Sequence, residues 1–380
     1  MKNERNEGFG LDPEKNNPKR ISVVFAAIDK YLQDNIIKNE QKEIKGREIV
    51  EYGERNIYPY YLYNLYENVS VLKSVINGIA DYACGNDIKL DVPILEKKVN
   101  ANLETVEDLV RKMVLSLETY GGFALNILRN AWGDIAEIYC LDFRTVRSDK
   151  KNTKFYYSTE WADKGISRVS AIAYPAYDPD DKTQASSIYY YKGGDYATYP
   201  TPVWGGAVVS AECLKHINEF NLNSLWNSLS SDYIINFNNG VPSDEEKEEI
   251  EENFNSKHTS FSNAGRAMMS FNDNYDTRTT VEAIPQTNFL DRYNSLYQTS
   301  IKDIFTAFRA HPAIFGLPTE NTGFNDSDLR EGFKLFNRTV VLPVQKLIKR
   351  TFERIFGAED VIEIEPLDID FDGEELVEVE

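Results

Sequence analysis

The residue types that do chemistry are few and scattered along this chain. Its three histidines, His216, His258 and His311, show no second histidine, cysteine or acid at metal-ligand spacing, and a metal site needs such clustering because several donors must converge on one ion. They read as surface or boundary side chains. Cys84, Cys140 and Cys213 are too widely spaced for a paired metal knuckle or a disulfide framework, so all three are expected to be reduced, small apolar side chains. The glycine-rich runs YGGF, KGGD and WGGA lack the GK[ST] and GxGxxG patterns that cradle phosphates, and read as turns. No catalytic residue, no metal and no cofactor is therefore expected.

Charge offers more. Lys346, Arg350 and Arg354 recur every four residues, which puts them on one face of a helix with Lys349 beside them. Such a stripe suits DNA or a neighbouring subunit; equally, it would complement the helix C-terminal dipole or pair with Glu353 and the acidic tail. The chain carries a net charge of −19, but eleven of its 61 acids fall in residues 359–380 without a single base, leaving the remainder at −8. That tail lacks the D-x-[DN]-x-[DN]-G calcium loop and reads as a solvated charge run. An acidic body repels a phosphate backbone, so tight general nucleic-acid binding is not expected.

The elements that must carry these side chains follow from periodicity. At 380 residues and 42% hydrophobic content, two or three sub-domains are expected, since single cores stop growing near roughly 250–300 residues. No run approaches the roughly 18 apolar residues of a membrane span, and the polar N-terminus lacks a signal-peptide core, so a soluble protein made in the cytoplasm is expected. Residues 1–20 read as a mobile arm, with order beginning near Ile21. Over residues 59–85, Leu62, Leu65, Leu72, Ile76 and Ile79 predict one amphipathic helix, and residues 106–120 predict a second. The pattern changes to a hairpin at 123–128 and 135–141, turning through Asn130 and Gly133, with further strands at 154–158 and 188–192. Residues 211–232 form a broken helical pattern. Residues 233–286 read as a strand–helix–strand–strand module, with strands at 234–237, 266–271 and 279–284 and a helix opened by a Ser243–Glu246 capping box. A long helix over 287–310 ends at His311-Pro312. After a polar loop, a final helix over 326–357 should kink at Pro343, which removes a backbone hydrogen bond. Beyond it, IEIEPLDIDF alternates like an exposed strand.

The succession NIYPYYLYNLYENVSVLKSVINGIADYACGN, LETYGGFALNI, DFRTVRSD, YIINFNNGVPSDEEKEEIEENF, SNAGRAMMSFND and HPAIFGLPTENTGFNDSDLREGFKLFNRTVVLPVQKLIKRTF resembles the portal proteins of tailed bacteriophages, particularly the compact portals of phages with an HK97-like capsid. These runs cover most of residues 55–356. The most specific piece is the HP-x-x-FG turn with its Asn/Gly loop and the helix ending in TVVLPVQ. The resemblance implies an α+β subunit: an α/β wing (21–210), stem helices (211–232 and 287–311), a small α/β clip (233–286), a tunnel loop (312–326), a kinked long C-terminal helix toward a crown (327–357) and an acidic segment (358–380) too short for a full crown.

It further implies a non-enzymatic ring of twelve subunits at one capsid vertex of the virion. Double-stranded DNA would pass through it without sequence-specific binding during packaging and ejection. The implied partners are the terminase large subunit, neck or adaptor proteins and the major capsid protein, with no membrane. An adaptor or capsid-associated virion protein is the alternative; a nuclease built on scattered acids is disfavoured by the missing ligand cluster. On the portal reading Thr319, Glu320, Asn321 and Thr322 face the channel, where small polar side chains and one acid favour sliding. Glu245, Glu246, Glu248, Glu249 and Glu252 face the motor, and Lys346, Lys349, Arg350 and Arg354 face DNA or a subunit. A head-to-tail ring needs two different complementary patches, which suits long helices whose apolar stripes are not all covered within one chain.

Overall fold

In chain order the helices are α1 (Tyr58–Asn68), α2 (Ser70–Cys84), α3 (Val106–Tyr120), α4 (Trp161–Lys164), α5 (Val208–Ser228), α6 (Phe289–Phe308), α7 (Asp326–Phe336) and α8 (Leu342–Phe356). The strands are β1 (Asp87–Leu90), β2 (Gly122–Arg129), β3 (Ile135–Leu141), β4 (Val146–Ser148), β5 (Lys154–Tyr157), β6 (Ile172–Pro175), β7 (Ser186–Lys192), β8 (Tyr233–Phe237), β9 (Ala267–Phe271) and β10 (Ile362–Glu365). The structure, a computed structural model, describes residues 36–44, 46, 48–164, 169–194, 196–228, 233–237, 243, 245, 246, 249, 267–271, 289–317 and 326–367. The expected N-terminal arm and the strand expected at 279–284 lie outside the described residues. The fold is α+β, and the chain divides into two units, residues 1–206 with 305–380, and residues 207–304.

In the first unit, the apolar run over residues 59–85 makes two helices instead of the single one expected. The break is at Val69, which is extended at φ −110°, ψ 102°. Its N–H still bonds the Leu65 carbonyl at 2.9 Å and its carbonyl accepts from Lys73 at 3.0 Å, so the change of direction loses little hydrogen bonding. A β-branched residue has only a modest helical preference to lose there. The redirection leaves Leu62 and Leu65 on α1, and Leu72, Val75, Ile76 and Ile79 on α2, all fully buried. α3 matches its expected bounds because both ends are chemically specified. Thr105 and Asp108 form a reciprocal capping box, with N–H to oxygen distances of 3.2 and 2.9 Å, and Gly121 closes the helix in the left-handed conformation.

Two three-stranded antiparallel sheets accompany these helices, in the orders β3-β2-β7 and β4-β5-β6. Arg147 of β4 is fully buried, and its guanidinium donates to the carbonyls of Asn56 and Val146 at 2.8 Å, to that of Arg144 at 2.9 Å, and to the side-chain oxygen of Asn56. Tyr52 and Trp161 lie beside it, the guanidinium carbon 5.8 and 5.4 Å from their ring centres. Burial pulls its pKa below the ordinary guanidinium value, but a group this basic stays charged, which is why each N–H needs its acceptor.

The C-terminal segment belongs to this same unit. α7 passes through one π-helical turn, Asn337–Val341, into α8, where Pro343 occupies the first turn. The expected kink at Pro343 thus takes the form of a π turn, which absorbs the missing donor by one extra residue per turn. The segment expected as an exposed strand is instead paired: β10 runs antiparallel to β1, with Ile362 opposite Leu90 and Ile364 opposite Ile88, and these isoleucines are buried.

In the second unit α5 is continuous where the sequence pattern looked broken. Asn218, Asn221 and Asn223 interrupt its apolar stripe, and the polar positions are used: Tyr293 of α6 bonds the Asn221 side-chain oxygen at 2.5 Å and the Ile217 carbonyl at 3.2 Å. Ser210 bonds Asp303 at 2.8 Å near the other end, so the two helices run antiparallel. β8 and β9 pair in parallel, Ile235 opposite Met269, and residues between parallel neighbours must make a crossover. Ser243 and Glu246 in that crossover form the expected capping box, with Ser243 N–H to Glu246 at 2.9 Å and Glu246 N–H to Ser243 at 3.4 Å.

Candidate functional site

The basic stripe is organised by the way α8 buries its other face. Val344, Gln345, Ile348, Thr351, Phe352 and Ile355 point inward. Gln345 caps the end of α2 by donating to the Ala83 carbonyl at 3.1 Å, and Tyr177 donates to the Ile355 carbonyl at 2.5 Å. With the helix pinned at both ends, Lys346, Arg350 and Arg354 emerge as a row of exposed cations and Lys349 sits half-buried beside them. Four residues of helix rise about 6 Å, so the row can meet successive anionic groups. Among the described residues none of the four enters an ion pair, Glu353 included.

The expected channel residues Thr319, Glu320, Asn321 and Thr322 lie outside the described residues, but both flanks of their loop are described. The HP-x-x-FG motif forms a 3-10 turn, Pro312–Phe315, capped by His311, whose Nδ1 accepts from Ala313 N–H at 3.4 Å, and closed by Gly316. Phe315 packs against Phe305 and Phe336 at ring-centre distances of 5.8 and 5.7 Å. It also lies so close to Gly78 of α2 that a Cβ there would run into its ring. Tyr82 joins Phe333 and Phe336, each at 5.7 Å. The loop therefore departs from and returns to one aromatic cluster.

Of the acidic set expected to face a motor, Glu245, Glu246 and Glu249 are exposed, and hydrogen bonds from Ser243 lower the Glu246 pKa. Glu248 and Glu252 lie outside the described residues. His258 does too. His216 corrects one expectation: acids do stand at helical spacing around it, with Glu212 3.4 Å from Nε2 and Glu219 3.0 Å from Nδ1. Glu212 is shared with Lys215 at 3.7 Å, and among the described residues no three histidines, cysteines or acids come together as a metal site. No helix among the described residues is long and apolar enough to cross a membrane.

Four buried charges among the described residues escaped the sequence reading: Arg147, Glu118 and the neighbouring pair Glu212 and Lys215. Arg147 sits in the run DFRTVRSD, whose residue types carry no sign of burial. Glu118 lies among apolar positions of α3, and burial pushes its pKa up to about 7, opposed by the Arg309 charge. Its backbone carbonyl accepts from the Trp204 indole at 2.9 Å. Arg147 and Glu118 both lie in the packed interior of the first unit.

An α+β body and a second unit with an antiparallel helix pair and two parallel strands define the class of fold among the described residues. The phage portal protein family model matches residues 92–379. The chain belongs to the phage portal protein family. No curated protein matches the sequence. Among solved structures, a chain of the virion of a native gene transfer agent particle is 15% identical, with 92% of this chain and 90% of that one covered and a TM-score of 0.54. A chain of the neck of an empty gene transfer agent particle, computed with C6 symmetry, is 16% identical over 86% and 87%, with a TM-score of 0.56. One from the neck of the native particle, computed with C12 symmetry, is 16% identical over 81% and 84%, with a TM-score of 0.51. At these identities the likeness is one of fold.

Proposed function

We infer that this chain is a structural subunit of a phage-type particle. In this reading twelve copies close into a ring at one capsid vertex, a conduit for double-stranded DNA during packaging and ejection. The observation that carries the reading is the family match over residues 92–379. The C12 symmetry of a particle neck whose chain has a similar fold supports the subunit number. In this reading residues 21–210 serve as wing, the helices at 211–232 and 287–311 as stem, residues 233–286 as clip, and the helix over 327–357 leads toward a crown. The clip docks the terminase large subunit during filling and neck or adaptor proteins afterwards, and the outer ring meets the major capsid protein.

The chemistry of the channel is avoidance. Residues 319–322 bring hydroxyls, an amide and Glu320 to the DNA, repeated by symmetry, so no cation grips a passing phosphate. The stripe Lys346, Arg350 and Arg354 is the contrasting surface, placed to hold phosphates or an acidic neighbour near the path. Replacing Glu320 by Lys puts a ring of cations where the reading needs none. We expect Glu320→Lys particles to show a several-fold loss of DNA-filled heads by electron microscopy and nuclease-protected DNA, with ring assembly intact. Filling equal to wild type would remove the non-adhesive role of this loop.

A further inference from the structure

The stripe on α8 is a row of cations that lacks a partner among the described residues. Lys346, Arg350 and Arg354 are exposed and Lys349 is half-buried beside them, yet none is within ion-pair distance of a described acid. Like charges one helical turn apart repel each other. Burial of Val344, Ile348, Phe352 and Ile355 on the opposite side nevertheless fixes the row in place, so it is set to receive anions that repeat at its own spacing, about 6 Å for four residues of helix.

The C-terminal residues carry acids with that period. Between 368 and 380 every even-numbered position except Leu376 is an acid, namely Asp368, Asp370, Asp372, Glu374, Glu378 and Glu380, and no Lys or Arg falls among these thirteen residues. Alternate side chains of an extended chain share a face about 6.7 Å apart. Successive carboxylates at that spacing can meet successive cations of the stripe.

The chain also leaves β10 close to the stripe. Gln345, the neighbour of Lys346, donates to the Ala83 carbonyl at 3.1 Å, and three residues beyond Ala83 the Asn86 side chain donates to the Pro366 carbonyl at 3.2 Å. Leu367, the last described residue, therefore stands near the first turn of α8. Thirteen residues reach at most about 43 Å, whereas the stripe from Lys346 to Arg354 rises only about 12 Å. Tethering of this kind gives the acids an effective concentration in the millimolar range, an advantage that free DNA, repelled by an acidic body, does not have.

We propose that residues 368–380 bind along the Lys346–Arg350–Arg354 face of α8 in the same copy, so that the chain's own acids cover the stripe and close it to phosphates. The contact goes beyond the ring reading and needs one copy only, so either can fail without the other.

Zero-length coupling tests it. Equal amounts of isotope-labelled and unlabelled full-length protein are mixed and treated with a carbodiimide, which joins a lysine amine to a carboxylate it touches, and the joined peptides are identified by mass spectrometry. The Lys154–Glu48 pair, 2.7 Å apart, reports that coupling has occurred. Lys89, exposed on β1 opposite Glu363 of β10, reports random encounters of the departing chain. We expect acids of 368–380 joined to Lys346 or Lys349 several-fold more than to Lys89, in peptides that are wholly labelled or wholly unlabelled. Arg350→Glu combined with Arg354→Glu leaves both lysines in place and should cut this joining several-fold, as should about 1 M salt, where the screening length falls to about 3 Å. Equal joining to Lys89, joining only between copies, joining that survives the charge reversal, or coupling at Lys154 with none at either stripe lysine overturns the contact. So does a wild-type chain that binds a short DNA duplex through Lys346, Arg350 and Arg354 as tightly as a chain whose tail acids are all changed to amides.

Discussion

On α2 the residues Leu72, Val75, Ile76 and Ile79 are completely buried, whereas on α5 and α6 Phe220, Leu222 and Leu296 remain 51, 46 and 47% exposed. Both regions have apolar side chains at helical spacing. In the first, α1, α3 and α8 close over the stripe and each guanidinium nitrogen of a charged hub, Arg147, donates a hydrogen bond. In the second, an antiparallel pair held by Tyr293 and Ser210 leaves apolar surface in water. At about 25 cal/mol per Å² of apolar area, burial of that surface is stabilisation a single copy does not collect. The comparison sets an apolar stripe that one copy closes completely beside one that it leaves partly open.

Three variants probe that contrast. The largest effect is expected from Arg147→Ala, which takes the guanidinium donor from three carbonyls and leaves the Asn56 side-chain oxygen with the Tyr52 N–H alone. It should lower unfolding free energy by about 3–5 kcal/mol, read by urea denaturation of the monomer. A loss under about 1 kcal/mol would contradict the hub's role.

An intermediate effect is expected at Glu118, and its sign follows from linkage. Its folded pKa is about 7 against an ordinary glutamate value of 4.5, so the folded state holds a proton that the unfolded state releases between these values. The cost is absent below pH 4.5, grows as pH rises to 7, and is complete above it, at about 3 kcal/mol. Glu118→Gln should be more stable than wild type at pH 8 and equal to it near pH 4. Parallel pH–stability curves for the two proteins would show that Glu118 is ionised at little cost.

The smallest effect on the monomer is expected from Phe220→Ser combined with Leu296→Ser. Monomer stability should stay within about 1 kcal/mol, while ring yield falls sharply by gel filtration. A large loss of monomer stability with assembly preserved would reverse the assignment of the two regions.

What the sequence revealed follows the same division. Elements with chemically marked ends were legible: α3 between Thr105 and Gly121, the hairpin turning at Asn130 and Gly133, and the Ser243–Glu246 cap. The break at Val69 was not, because apolar spacing continues across it and the change of direction is dictated by what α3 and α8 cover. The continuity of α5 was hidden by asparagines in its apolar stripe, one of which, Asn221, finds its partner on α6, 72 residues away. The basic stripe was readable from its spacing of four, but its freedom from Glu353 was not. Arg147 and Glu118 were invisible as buried charges, since burial is a property of the packed neighbours and leaves no mark on a polar residue.

The central claim is that copies of this chain close head to tail around a channel. The most direct measurement is electron microscopy of the purified full-length protein over a range of concentrations, with the mass of the assembled species determined in parallel. The account predicts closed rings with a central opening and a mass near twelve subunits. Open filaments, or a monomer that persists at every concentration, would contradict it.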